Sequence, residues 1–361
     1  MTKALIHRLR DRSAQALGAF SAGKKALLAG AAITLAGCSA NPVYTTTGIV
    51  LSNYAEGEAT PYVLEMKDPE MACALGLSLD PLVYSFSRVT SPPDTTGSLL
   101  MLLAANCSEY NAMEAEITYL RANHEGNVNE ARDAREQVKR LNAEIAHRRL
   151  LAFERAMAAY KFDPGAEPVE CPFLFDDQDE LTFLMGLVTG MQAIVNDANS
   201  GAMAGIPRNI APQAERAVRC VENEKWGGVP NAVRALVWLL LPDTRPPMSP
   251  DPWEVLEHSR ELGFDRGFRV ASALEVVAAE TFGRPDVLEE AIRAAADAES
   301  EMEVSSAYQL LDSVAHRVLL HSSDKHWAAN YGYRTPSNSF GSLSPVSSNR
   351  STQTMDLDDL L

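Results

Sequence analysis

The sequence predicts an all-α protein of stacked helical hairpins, on three observations. Apolar residues recur at helical spacing across most of the chain. No strand-like alternation reaches a convincing length. Turn signals cut the helical stretch at hairpin-sized intervals: Ser91-Pro92-Pro93-Asp94, Asp163-Pro164-Gly165, Gly205-Ile206-Pro207, Trp226-Gly227-Gly228, residues 242–252 and Gly283-Arg284-Pro285. Composition agrees, because 46% hydrophobic residues in 361 allow a substantial core. With 48 Asp and Glu against 32 Lys and Arg, the formal charge of −16 excludes nucleic acid as a partner, since phosphate contacts need clustered cations.

Residues 1–37 read as a lipoprotein signal peptide. Six basic residues (Lys3, Arg8, Arg10, Arg12, Lys24, Lys25) precede the apolar run Ala26-Leu27-Leu28-Ala29-Gly30-Ala31-Ala32-Ile33-Thr34-Leu35. That run is about half the ~20 residues a bilayer span requires, which suits a cleaved leader. It closes on Leu35-Ala36-Gly37-Cys38, a lipobox pattern that makes Cys38 the lipidation site: small residues admit the peptidase and the thiol is acylated. Cleavage there leaves 26 basic against 47 acidic residues, a net −21. The predicted location is the cell envelope, with the membrane reached through the lipid alone. Ser39 in place of Asp favours the periplasmic face of the outer membrane over the inner membrane. Four cysteines remain, Cys73, Cys107, Cys171 and Cys220. In an oxidising compartment they suit two disulfides. Cys73–Cys107 and Cys171–Cys220 is the preferred pairing, on the premise that each joins neighbouring helices of a hairpin. Free, buried cysteines are an equal alternative.

Residues 38–67, rich in Thr, Gly, Pro and Tyr, read as a lipidated tether and lead-in without sustained periodicity. Asp68-Pro69-Glu70 opens the helical domain, 68–330: Asp caps, Pro occupies the first turn, and Glu faces the positive end of the helix dipole. Leu99, Leu100, Leu102 and Leu103 begin one buried face. Residues 125–149 are dense in charge and read as an exposed helix laced with ion pairs. After the acidic cap Asp176-Asp177, a stripe runs through Leu181, Leu184, Met185, Val188, Met191 and Val195, with Gly186 and Gly190 letting a neighbour approach. Phe153-Glu154-Arg155-Ala156-Met157 echoes as Ala214-Glu215-Arg216-Ala217-Val218 and more loosely as Leu288-Glu289-Glu290-Ala291-Ile292. Such an echo suits a tetratricopeptide-like α-solenoid or bundle. Residues 331–361 form a Ser-rich tail. From Arg334 onward 12 of 28 residues are Ser, Thr or Asn, too polar to offset ordering entropy, so the tail is expected to be disordered.

Chemistry-bearing motifs are absent. There is no GxSxG, HExxH, phosphate loop or dinucleotide fingerprint. His316, His321 and His326 step by five and walk around a helix, a poor metal set. Asp176, Asp177, Asp179 and Glu180 are explained by a helix N-terminus. Trp226 and Trp238 suit staples between hairpins. The sequence therefore predicts no enzyme, no catalytic residue, no cofactor and no metal.

The ordered set of these features resembles the lipoprotein T component of TRAP (tripartite ATP-independent periplasmic) transporters. Asp68-Pro69-Glu70-Met71 is similar to the start of that family's first helix, and residues 99–110 and 149–160 resemble its second and its charged Arg/Ala/Tyr helix. Residues 177–221 are the best stretch: an apolar Gly/Ala helix, then Ile206-Pro207, then Ala214-Glu215-Arg216-Ala217. Trp226-Gly227-Gly228 follows, and the likeness runs to Trp327. The resemblance implies cryptic tetratricopeptide-like repeats, a homotrimer, a periplasmic substrate-binding partner protein, and a cavity for a small apolar or organic-acid ligand. The alternative is a structural adaptor that organises envelope proteins and holds no small molecule.

Overall fold

The computed structural model describes residues 41–166 and 168–345. The predicted signal peptide, the lipidation site Cys38 and residues 346–361 lie outside the described residues. What is described is all-α: helices connected by turns and packed against one another, with no strand among the described residues.

Residues 42–64 depart from the expected tether. They form α1 (Pro42–Tyr54), a π-helical turn (Ala55–Ala59) and α2 (Thr60–Leu64). Asn41 caps α1 by accepting from the Val43 N–H, and Pro42 occupies the first turn. The π turn has a local cause. Pro61 cannot donate to the carbonyl four residues back, and both the amide and the hydroxyl of Thr60 bond the Ala55 carbonyl instead. Helical periodicity was hidden because the inward side of α1 and of the π turn is built of small residues, with Gly48 and Ala55 buried.

Helix α3 (Pro69–Ser85) starts as expected, with the Asp68 carboxylate accepting from the Glu70 and Met71 amides. Two long helices follow, α4 (Asp94–His124) and α5 (Val128–Ala159). Asn127 caps α5, and its charged first half is exposed, with a Glu136–Lys139 pair at 2.7 Å. The second half is not. Arg149, expected on an exposed helix, is buried and donates to Asn196 and Glu109, while Asn196 in turn donates to Asn142. Arg155 is buried too, paired with Asp80, bonded to the Gly97 carbonyl and stacked 3.5 Å from the Tyr84 ring centroid.

Helix α6 (Asp177–Ser200) is the centre of the main core. The six-residue stripe understates it: every residue from Leu181 to Met191 is buried, because α5 covers one side and α7 and α8 the other. A β-carbon at Gly186 would collide with Ala156 of α5, so the two helices depend on this glycine to pack. Helix α6 is long and apolar enough to cross a membrane, but its burial identifies it as a core helix.

Shorter helices complete the body: α7 (Ile210–Ala217), α8 (Val229–Leu240), α9 (Pro252–Asp265), α10 (Val270–Thr281), α11 (Pro285–Ala298) and α12 (Gln309–Tyr331). Gly228 precedes α8 at φ +76°, where a β-carbon would lie 2.6 Å from the Ser259 carbonyl oxygen of α9. Helix α12 returns to pack on α4 and closes the body. The Glu-Arg-Ala echo falls on helices of 32, 8 and 14 residues, so it does not mark a unit of constant length.

Residues 332–345 also depart from expectation. Trp327 Nε1 donates to the Ser342 carbonyl, His326 Nε2 lies 2.9 Å from the Leu343 carbonyl, and Leu343 is buried among Val276, Ile292 and Leu319. Backbone acceptors, Leu343 with Phe340 beside it, and side-chain bonds from Arg334 to Glu114 and from Thr335 to Ser323 and Asp324 fasten this segment, long-range contacts that composition cannot register.

Candidate functional site

Two disulfides are formed, Cys73–Cys107 and Cys171–Cys220, with Cα separations of 5.3 and 5.4 Å. The first joins neighbouring helices α3 and α4. The second does not join a hairpin: it ties the irregular segment between α5 and α6 to the 3₁₀ turn that ends α7.

That second bridge builds the most distinctive surface of the molecule. From Cys171 to Phe175 the chain is non-helical and side chains alternate outward and inward. Leu174 points in and packs on the main core, while Phe173 and Phe175 point out, 84% and 79% exposed, with ring centroids 6.4 Å apart. Three fixings hold the strip: the disulfide, Leu174, and the Phe175 amide donating to Asp179 Oδ2 at 3.0 Å. Exposing two phenylalanines side by side is costly in water, and holding them still forgoes the entropy that a mobile loop would keep.

The strip runs into the acidic start of α6. Asp176 caps the helix through the Gln178 and Asp179 amides, and Asp179 also accepts from the Tyr160 hydroxyl. Lys225 bridges Asp177 and Glu180 at 2.8 Å each, and these two hydrogen bonds push the ammonium above its usual range. Trp226 Nε1 donates to Glu180 Oε2. The Glu56 carbonyl accepts from Gln178, which brings the π turn alongside. Partial burial, then the charges of Asp179 and Asp176, push the Glu56 carboxyl upward. Five carboxylates against one lysine make an acidic collar beside two exposed rings.

Elsewhere several half-buried titratable residues are paired. His321 Nε2 lies 2.9 Å from Glu116 Oε2, and Lys325 bridges Glu116 and Glu280 at 3.3 and 3.0 Å. Burial would raise Glu116, but the His321 hydrogen bond and the Lys325 charge outweigh it and draw the carboxyl down to about 2. His316 faces Arg269 and Glu299, and burial followed by the Arg269 charge lowers it. The three histidines thus have separate partners, and among the described residues no three His, Cys, Asp or Glu are grouped to hold a metal. Trp226 and Trp238 are buried as staples, the latter under the Arg234 guanidinium. An open depression of about 620 Å³ lies between α2, the start of α3 and α12, lined by residues including Tyr62, Met66, Lys67 and Arg317.

Sequence reading missed Phe173 and Phe175. The signal was present as the two-residue alternation Pro172-Phe173-Leu174-Phe175 directly after a cysteine. Comparison of the chain with protein-family models, curated proteins and solved structures finds no match.

Proposed function

We propose that this chain is a lipid-anchored envelope adaptor that engages a partner protein through Phe173 and Phe175. The single observation that carries the reading is the exposed phenylalanine pair on a strip fixed at three points. Rigid exposed aromatics are what protein interfaces use as anchors, because little entropy remains to be lost on binding. The acidic collar specifies the partner's chemistry: an apolar cleft rimmed by Lys or Arg. The lipobox at Cys38 and the disulfides support an oxidising envelope compartment. A photo-crosslinking phenylalanine analogue replacing Phe173 in the envelope of living cells should give one discrete adduct. The same analogue replacing Val128, exposed at the α4–α5 turn, should not. Identical adduct patterns from both sites would refute the reading.

A second reading keeps the T-component resemblance, with tetratricopeptide-like hairpins, a trimer and a periplasmic substrate-binding partner. The observation in its favour is the depression beside Lys67 and Arg317, two cations suited to an organic acid. Its openness, and the Arg317–Glu70 contact at 3.5 Å, favour the adaptor. Native mass spectrometry separates them: a trimer retaining a small molecule supports the carrier, and an empty monomer the adaptor.

A further inference from the structure

We infer that α1 lies flat in the headgroup layer of the membrane that holds the lipid anchor, and so sets the orientation of the body. The inference rests on the lipoprotein reading of Cys38. Its own support is the outward face of α1. Gly48 and Ala55 are buried and Gly48 abuts Phe86 and Thr90, which turns Val43, Val50 and Tyr54 outward at 65%, 59% and 58% exposure. Tyr44 and Ile49, also exposed, flank that row. From Asn41 to Ala55 there is no charged residue, in a mature chain that carries −21. The first charges, Glu56 and Glu58, come only at the far end of the helix.

Covalent reach selects the occupant. Four peptide units separate Cys38 from Pro42, a span of at most ~14 Å. A helix tethered so closely to acyl chains cannot sit far from the bilayer, and its thirteen residues make a rod of about 20 Å. A face of Val, Ile and Tyr without charge suits the interfacial layer, where tyrosine rings bury their bodies and keep their hydroxyls wet. Elsewhere the acidic body is repelled by anionic headgroups, so α1 is the neutral side on which it can rest. The acyl chains supply attachment; α1 supplies direction.

The test uses the full lipidated chain carrying Val50→Trp, reconstituted into phosphatidylethanolamine and phosphatidylglycerol vesicles with brominated acyl chains. Val128→Trp is the control, because α4 spans about 46 Å from the α1 side to that turn. Emission of the unsubstituted chain is subtracted. V50W should be quenched at least twofold more than V128W, with unchanged circular dichroism. Equal quenching at the two positions overturns the inference, and V50W shielded from iodide but not quenched by bromolipid assigns the face to a protein instead. Intact mass of the same sample separates the two failures. Acyl chains on Cys38 without quenching overturn this inference alone, whereas an unacylated Cys38 overturns the lipoprotein reading and this inference with it.

Discussion

The α3–α4 hairpin and the strip at residues 171–175 each carry one disulfide, yet the bond does different things in the two places. In the hairpin, Cys73–Cys107 duplicates an interface that Ala72, Val83, Leu100, Leu103 and the Arg155–Asp80 pair already hold. In the strip there is no helix to fall back on, and Cys171–Cys220 is one of three fixings. The chain-entropy account assigns the two bonds, closing 34 and 49 residues, about 4 kcal/mol each. Equal stabilisation therefore does not mean equal local consequence. In the hairpin the bond reinforces; in the strip it creates a surface.

The largest expected effect breaks the helical side of the contrast. Arg155→Ala leaves Asp80 buried without its partner, and should cost about 3–5 kcal/mol in denaturant unfolding. The strip should be lost in the same transition, since it rides on the body. A separate earlier transition for the strip would contradict the contrast.

Next come the cysteine pairs. Cys73→Ala with Cys107→Ala, and Cys171→Ala with Cys220→Ala, should each lower stability by up to about 4 kcal/mol. Only the second should open the strip to chymotrypsin, with cleavage after Phe173 or Phe175 at least tenfold faster. Comparable cleavage in both variants would remove the distinction.

A third lever acts on the body and spares the strip. Burial, partly opposed by Arg260 at 3.0 Å, pushes Glu275 of α10 from 4.5 up to about 7. Its folded form therefore holds a proton that the unfolded chain has lost between those values. The stability it contributes is present below pH 4.5 and falls as pH rises to about 7, by at most roughly 3 kcal/mol. Glu275→Gln should flatten that slope in denaturant melts from pH 5 to 7, while chymotrypsin sensitivity of the strip stays constant. A slope unaltered by the substitution would show that another group carries it.

The same contrast governs what sequence could reveal. Fold class was legible because helical spacing and turn signals are local, and α3, α4 and α6 form where they place helices. The burial of Arg149 was not, because its partners Glu109 and Asn196 are 40 and 47 residues away. Residues 332–345 were misjudged because their partners are distant in sequence: Arg334 meets Glu114, and Ser342 and Leu343 are held by carbonyls, which every residue type possesses. The preferred cysteine pairing matches the bonds present, but hairpin adjacency explains only the first. Phe173 and Phe175 escaped notice because hydrophobic residues are read as core by default, and only the inward turn of Leu174 sends its neighbours out.

The smallest effect on stability carries the most functional weight. Phe173→Ala with Phe175→Ala removes side chains that are mostly solvated, so stability should change by less than about 0.5 kcal/mol. The decisive measurement is the affinity of the purified partner, identified from the Phe173 crosslink, for the native chain and for this double variant. The account predicts at least a tenfold loss of affinity with an unchanged denaturation midpoint. Equal affinities for the two chains would contradict it.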